Sequence, residues 1–261
     1  MADKNKKNEY INDEKKDINL DIIEGRNAVI EAFRSGKTVD KLCILEGCKD
    51  GPINTIIREA KKHNVMIKFM KKERLDQISI EGKHQGVIAY LAAYEYSTVE
   101  DILQNARDKG EAPFVIILDG IEDPHNLGAI IRTANQAGAH GIIIPKRRAV
   151  GLTSTVARTS AGAINYTPVA KVTNIAQTIE ELKKEGMWFV CADMDGEVMY
   201  KLDLKGSIGV VIGNEGEGVS RLVKDKCDFV ASIPMKGDID SLNASVAMGI
   251  LSYEIVRQRM M

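Results

Sequence analysis

Three short polar segments in the C-terminal half of this 261-residue chain hold side chains of the kinds that do chemistry. They are Asn126-x-Gly128-x-x-x-Arg132, Gly213-Asn214-Glu215-Gly216-x-Gly218 and Ser241-Leu242-Asn243-Ala244-Ser245. Between them they offer carboxamides, a guanidinium, a carboxylate and hydroxyls, which can orient a polar or anionic ligand and handle a proton. Taken singly, none is specific. Arg132 sits among Ile130, Ile131 and Ala134, so it is either a snorkelling surface residue or a phosphate-directed one; spacing alone favours the surface. Glu215 in a glycine turn reads most simply as a solvated acid or a cap. Ser245 reads as a packed or back-bonded helix hydroxyl, and Asn243 and Ser241 as caps. His125, beside Pro124, reads as a loop histidine. On an ideal helix Asn243 and Ser245 project about 200° apart. Either a helix begins after Asn243, or only one of the two faces a cleft. Ser241 and Ser245, four apart, would share a face.

The surrounding pattern says what must position these groups. Ile208, Val210, Val211 and Ile212 predict a buried strand that ends at Gly213. A second strand is expected over 230–233, stopped by Pro234, followed by a polar turn with Gly237 and then a helix. Leu242, Val246, Ile250 and Tyr253 form an apolar stripe on that helix, which is expected to face the core. Upstream, a strand over 114–118 leads through a polar loop over 119–128 into a helix over 129–136, with a further strand over 141–144. A helix over 175–184 and a strand over 188–192 complete the pattern. Polar loops leaving parallel strands are where open α/β sheets bind ligands, and a helix N-terminus there suits an anion. The glycines are spaced GxxGxG rather than GxGxxG, which weakens a dinucleotide-binding reading.

The front half alternates differently. Helices are expected over 27–33, 53–63 and 73–78, and strands over 41–45, 65–70 and 86–91, as a small α/β domain of residues 21–95. Lys61, Lys62, Lys68, Lys71, Lys72 and Arg74 gather on its exposed positions, interleaved with Glu59, Glu73 and Asp76. That is equally a phosphate-contacting face or an ordinary solvated one. Residues 1–20 read as a disordered charged tail. Residues 96–112 read as a linker helix capped by Ser97, and 113–261 as the second domain. Lys146-Arg147-Arg148 is a compact basic turn, either solvated or an RNA backbone contact.

Composition narrows the classes. A hydrophobic share of 44% supports a true core, and a formal net charge of -1 means that any nucleic acid must be held by a local patch. The four cysteines show no metal spacing and read as reduced thiols of a cytoplasmic protein. No apolar leader or membrane-length run is present, so no membrane association is expected.

In combination and in this order, the three polar segments resemble the motifs of the SpoU (TrmH-type) family of RNA ribose 2′-O-methyltransferases, in the SPOUT superfamily. The resemblance covers residues 113–257 closely. Gly25-Arg26-Asn27-Ala28-Val29 and His84-Gln85-Gly86-Val87 are similar to that family's substrate-binding domain, of ribosomal-protein-like α/β fold. The layout is most similar to members that methylate a guanosine ribose in large-subunit (23S) ribosomal RNA. Ala244 stands where the family often has Val, and the long charged tail is not a family feature.

The resemblance implies an α/β methyltransferase domain with a parallel sheet and a deep trefoil knot, working as a homodimer with the site at the interface. The donor would be S-adenosylmethionine, with no metal. It would be held by Gly213, Ile233 and Leu242 with their neighbours Asn214, Gly218 and Met235. Arg132 would be the catalytic arginine, which reverses its surface reading, and Asn126, Glu215, Asn243 and Ser245 would complete the site. Three alternatives remain: a transfer-RNA methyltransferase, a non-catalytic RNA-binding or assembly protein, and a dinucleotide-dependent oxidoreductase. Methyl transfer from labelled donor to RNA separates enzyme from binder, and donor calorimetry against a nicotinamide dinucleotide separates the last.

Overall fold

A computed structural model describes residues 22–238 and 241–261. The expected tail over 1–20 lies outside the described residues. The chain divides into two compact units. One runs through Glu95 and takes in Gly151–Thr155; the other comprises Tyr96–Val150 and Val156–Met261.

The first unit orders its elements as β1 (Ile22–Glu24), α1 (Arg26–Arg34), β2 (Val39–Leu45), α2 (Gly51–Lys62), β3 (Met66–Met70), α3 (Lys72–Ile78) and β4 (Val87–Leu91). Its sheet runs β1-β4-β2-β3, with β2 parallel to β3 and antiparallel to β4. Val29, Ala32 and Phe33 of α1 and Ile53, Ile56 and Ala60 of α2 meet Leu42 and Ile44 in the core. The six basic residues from Lys61 to Arg74 are all exposed.

The second unit continues with α4 (Val99–Lys109), β5 (Phe114–Asp119), α5 (Pro124–Gln136), β6 (Gly141–Pro145), α6 (Ser154–Thr159), β7 (Val169–Val172), α7 (Ile175–Lys184), β8 (Trp188–Val198), β9 (Ile208–Gly213), α8 (Arg221–Lys224), β10 (Phe229–Ser232) and α9 (Ala244–Arg259). Its six strands run β10-β8-β9-β5-β6-β7, and every pairing is parallel. This is the α/β fold with a parallel sheet that the alternating pattern foretold. Every residue of β5 and β9 is buried, as parallel strands covered on both faces require. Ile102 and Leu103 of α4 and Ile175, Ile179 and Leu182 of α7 join Val115, Ile117, Phe189 and Val211 in one core layer. α9 packs against β9 and α5.

Four expectations need correction. The cap of α4 is Thr98, not Ser97: its hydroxyl accepts the Asp101 N–H at 3.1 Å, and Asp101 reciprocates toward the Thr98 N–H at 2.7 Å. α5 begins at Pro124, not Ala129, because Asp123 caps it through the Asn126 N–H at 2.8 Å and proline suits a first helical position. Asn126, Gly128 and His125 are therefore helical residues, not loop ones. β8 runs to Val198 rather than stopping at Ala192; its pairing with β10 shifts register, so Val230 faces Cys191 while Ala231 faces Glu197. Residues 192–196 are left unpaired with β10 as a bulge. Finally, the stripe on α9 does not face the core. The helix buries Ala244, Met248, Leu251 and Ile255, while Val246 and Tyr253 are 47% and 51% exposed and Leu242 precedes the helix.

Candidate active site

Parallel strands place their C-terminal ends side by side, and the candidate residues leave from those ends. From β5 the chain turns through Gly120 into α5, bringing Asn126 into the first turn. From β9 it passes directly into Asn214 and Glu215. From β10 it returns to Asn243, the residue that caps α9. After β5 the chain builds β6 and β7 on one side, then crosses to β8, β9 and β10 on the other. β5 and β9 thus flank the switch in strand order where α/β sheets form their binding crevice.

The turn after β9 is set by its own hydrogen bonds. Asn214 Oδ1 accepts the N–H of Gly216 at 2.9 Å and of Glu217 at 2.7 Å, and the Asn214 carbonyl accepts the Gly218 N–H at 3.0 Å. This folds residue 218 back onto residue 213. A Cβ on Gly213 would stand 1.9 Å from the Gly218 carbonyl carbon, so only glycine fits. Asp119, at the end of β5, accepts the Ser220 N–H at 2.9 Å and ties the far side of the turn to the sheet.

Four side chains then form one network. Glu215 Oε1 accepts from the Nδ2 of Asn126, and from the Nδ2 of Asn243 at 3.2 Å. Asn243 Nδ2 also donates to Asn126 Oδ1 at 2.9 Å. Asn243 Oδ1 accepts both the Ser245 N–H at 3.0 Å and the Ser245 hydroxyl at 2.6 Å. Both Asn243 amide hydrogens and its oxygen are thereby engaged, which fixes its orientation. Since α9 begins at Ala244, Asn243 lies outside the helix, and the geometric conflict between Asn243 and Ser245 disappears. Ser241 also precedes the helix and shares no helical face with Ser245.

Beside this network lies a cavity of about 630 Å³. Gly213, Asn214, Gly218, Ile233, Met235 and Leu242 all line it, as does Glu215. The mixture is backbone from the glycine turn plus apolar side chains, suited to a ligand with a flat apolar part and a polar part. The bulge of β8 adds Ala192, Asp193 and Met194 to the wall. The sequence reading missed these, although Asp193-x-Asp195-Gly196 after an apolar strand is itself a turn signal. The Lys224 ammonium, 2.7 Å from Asp193, holds that carboxyl below its usual range through a hydrogen bond. Among the described residues no cluster of three or more His, Cys, Asp or Glu could hold a metal ion.

Arg132 stands apart. It is exposed on α5, and among the described residues its side chain has no hydrogen-bond or ion-pair partner. It lies six positions after Asn126, about 120° around the helix from it, and shares a face with His125.

Comparison with known proteins matches this arrangement to one family. Residues 113–253 match the model of the SpoU rRNA methylase family, and residues 22–97 that of the RNA 2′-O-ribose methyltransferase substrate-binding domain. YacO of Bacillus subtilis, named as a TrmH-family tRNA/rRNA methyltransferase, is 50% identical over 240 residues, which are 92% of this chain and 96% of that one. A Staphylococcus haemolyticus protein of the same family name is 48% identical over 240 residues, 91% of this chain and 96% of its own. Among solved structures, the SpoU methyltransferase AviRb of Streptomyces viridochromogenes, in complex with AdoMet, has a similar fold. It superposes with a TM-score of 0.57 at 23% identity, over 92% of this chain and 90% of that one. An AdoMet-bound rRNA methyltransferase of Sinorhizobium meliloti gives 0.56 at 25% identity, over 92% and 88%. The fold and the site define an RNA-directed methyltransferase. The chain belongs to the SpoU methylase family, as its three polar segments foretold.

Proposed function

We propose that the chain transfers a methyl group from S-adenosylmethionine to the ribose 2′-hydroxyl of an RNA nucleotide, with a guanosine in 23S ribosomal RNA as the target. The observation that carries this reading is the cavity bounded by Gly213, Ile233 and Leu242, with Glu215 as the link between it and the Asn126–Asn243–Ser245 network. The donor fits what is there: the glycine turn brings backbone against it, and Ile233, Met235 and Leu242 supply apolar contact. When bound, it presents a methyl carbon on a positive sulfonium, an electrophile that needs no covalent enzyme intermediate. As the hydroxyl oxygen bonds the methyl carbon, the carbon–sulfur bond would break, the neutral thioether would leave and the hydroxyl would give up its proton, so the protein's work is to align the groups and to accept or relay that proton. Glu215, held by two amides, gives the site an oriented carboxyl group. Arg132 clamps the phosphodiester beside the target hydroxyl through its guanidinium fork.

Its position on α5, turned away from Asn126, supports a homodimer in which Arg132 serves the partner's site. The outward Val246 and Tyr253, with half-buried Ile250 between them, give that dimer an apolar surface to bury. A transfer-RNA target is the second reading, favoured by the "tRNA/rRNA" names of the relatives. Incubation with labelled donor and separated RNA fractions, followed by mapping of ribose methyls, tests the proposal. Label is expected in the large-subunit fraction and lost in Arg132→Ala, with donor affinity unchanged. Label confined to transfer RNA transfers the reading to that target; no label in any RNA, or full turnover by Arg132→Ala, overturns it.

A further inference from the structure

We propose that the turn Lys146-Arg147-Arg148, where β6 leaves the sheet, is a contact for the phosphate backbone of the RNA strand next to the methylated nucleotide. The partner class rests on the methyl-transfer reading above; the site itself rests on separate observations.

The first is position. β6 runs parallel to β5, so the turn leaves the same end of the sheet as Asp119 and Gly120. A Cβ on Gly120 would stand 3.1 Å from the Asn214 amide nitrogen and 3.9 Å from the Arg148 carbonyl oxygen. The basic turn thus borders the turn that carries Glu215. The second is rigidity. Both ends are pinned, the Lys146 N–H to the Val172 carbonyl at 2.8 Å and the Val150 N–H to the Ile121 carbonyl at 3.0 Å. The third is backbone strain. Arg148 holds φ at 55°, a left-handed conformation that a non-glycine residue adopts only at a steric cost. Glycine would relieve it, yet the position carries a long cation. Strain of this kind collects where a side chain has to be presented.

The fourth is charge. Several cations of this unit are matched: Lys183 with Asp228 at 2.6 Å, Lys224 with Asp193 at 2.7 Å, and Lys226 with Glu180. Arg147 and Arg148 are exposed, and the side chains of Lys146, Arg147 and Arg148 have no ion-pair partner among the described residues. Three consecutive unpaired cations repel one another. In a chain of net charge -1 they make a local patch of the kind that holds a polyanion. A guanidinium pairs with phosphate oxygens in bidentate fashion, which suits positioning rather than base readout.

The test uses the full-length protein and a fluorescein-labelled, single-stranded RNA of mixed sequence, titrated over a range of salt. The double variant Arg147→Ala, Arg148→Gly is the probe, since glycine accepts the backbone at 148. The expected result is weaker binding, with the slope of log affinity against log salt falling by about 1.4, or about 0.7 for each lost contact on a single strand. Donor affinity should not move, the melting temperature should not fall, since glycine accepts the backbone at 148, and the Arg147→Lys, Arg148→Lys pair should keep the wild-type slope. An unchanged slope in the alanine–glycine variant overturns the proposal. If that slope falls but the protein methylates no RNA, the contact stands and the methyl-transfer reading falls.

Discussion

Asn243 and Asn126, 117 positions apart, are joined side chain to side chain at 2.9 Å, and the same Asn243 amide caps α9 through the Ser245 N–H at 3.0 Å. One residue therefore starts a helix and closes the polar network. Two substitutions separate the roles. Asn243→Ala removes both, and should cost about 1 kcal/mol of stability for the lost cap together with the methyl transfer. Asn243→Asp keeps an equally good cap but loses both amide donors and sets a second carboxylate beside Glu215. Its denaturation midpoint should fall through the two lost hydrogen bonds and the facing carboxylates while the cap itself is kept, and methyl transfer should fall roughly 100-fold, the penalty of a misplaced reacting geometry. If the aspartate variant turns over normally, the network plays no part in the reaction.

The glycine turn makes a sharper structural prediction. A Cβ on Gly213 meets backbone at 1.9, 2.0 and 2.2 Å, none of which can swing away. Gly213→Ala should therefore destabilise the unit by about 3 kcal/mol, near the upper end for overpacking, and weaken donor binding. Gly216 is the control. Its nearest neighbour is Asn214 Oδ1 at 3.5 Å, so Gly216→Ala should stay within about 0.5 kcal/mol of wild type. Urea unfolding of the two variants measures the contrast, and equal effects would contradict the close approach of residues 213 and 218.

Much of this was legible in the chain. Val210, Val211 and Ile212 before Gly213 could only be a buried strand meeting a turn, and Ile116 to Leu118 read the same way. What the residues could not announce was which face of a helix meets the sheet. On α9, Val246 and Tyr253 are more apolar in type than Ser252, Glu254 and Gln258, yet the latter three are buried. They are tolerated inside because Gln258 accepts the Leu204 N–H at 2.8 Å and donates to Glu254 at 2.7 Å, and because Ser252 turns its hydroxyl to Met248. The start of α5 was hidden for a similar reason: Asp-Pro-His-Asn has loop composition, and only the Asp123 cap makes it helical. Arg132 was read as a surface residue from spacing, and exposed it is; the catalytic role proposed for it comes from the resemblance alone.

The outward stripe carries its own test. Val246→Asp with Tyr253→Asp places charge on the proposed dimer face and leaves Met248, Leu251 and Ile255, all fully buried, untouched. Sedimentation should show the wild type at twice the chain mass and the variant at once, with far-ultraviolet dichroism unchanged. Methyl transfer should disappear with the dimer if Arg132 acts in the partner's site. A variant that keeps the wild-type mass would remove α9 from the interface.

His140 makes the stability of the second unit depend on pH. It is fully buried, with Nδ1 accepting the Phe114 N–H at 2.9 Å and Nε2 3.1 Å from Glu111. An Nδ1 that accepts must be unprotonated, so the proton of the neutral ring sits on Nε2 and points at the carboxylate. Burial pushes the His140 pKa below its ordinary value; the charges of Lys109 and Arg259 act the same way, and Glu111 only partly opposes them. Below about pH 6.5 the unfolded chain takes up a proton that the folded one refuses. The contribution of His140 is therefore complete above that pH and is lost as the pH falls through the lower folded value. In His140→Gln the amide oxygen can still accept the Phe114 N–H but cannot titrate. The variant should be less stable than wild type at neutral pH, with the gap in melting temperature narrowing steadily in acid. A gap that stays constant from about pH 7.5 to pH 5 would mean that the folded and unfolded rings take up the proton alike, so that burial does not lower the folded value.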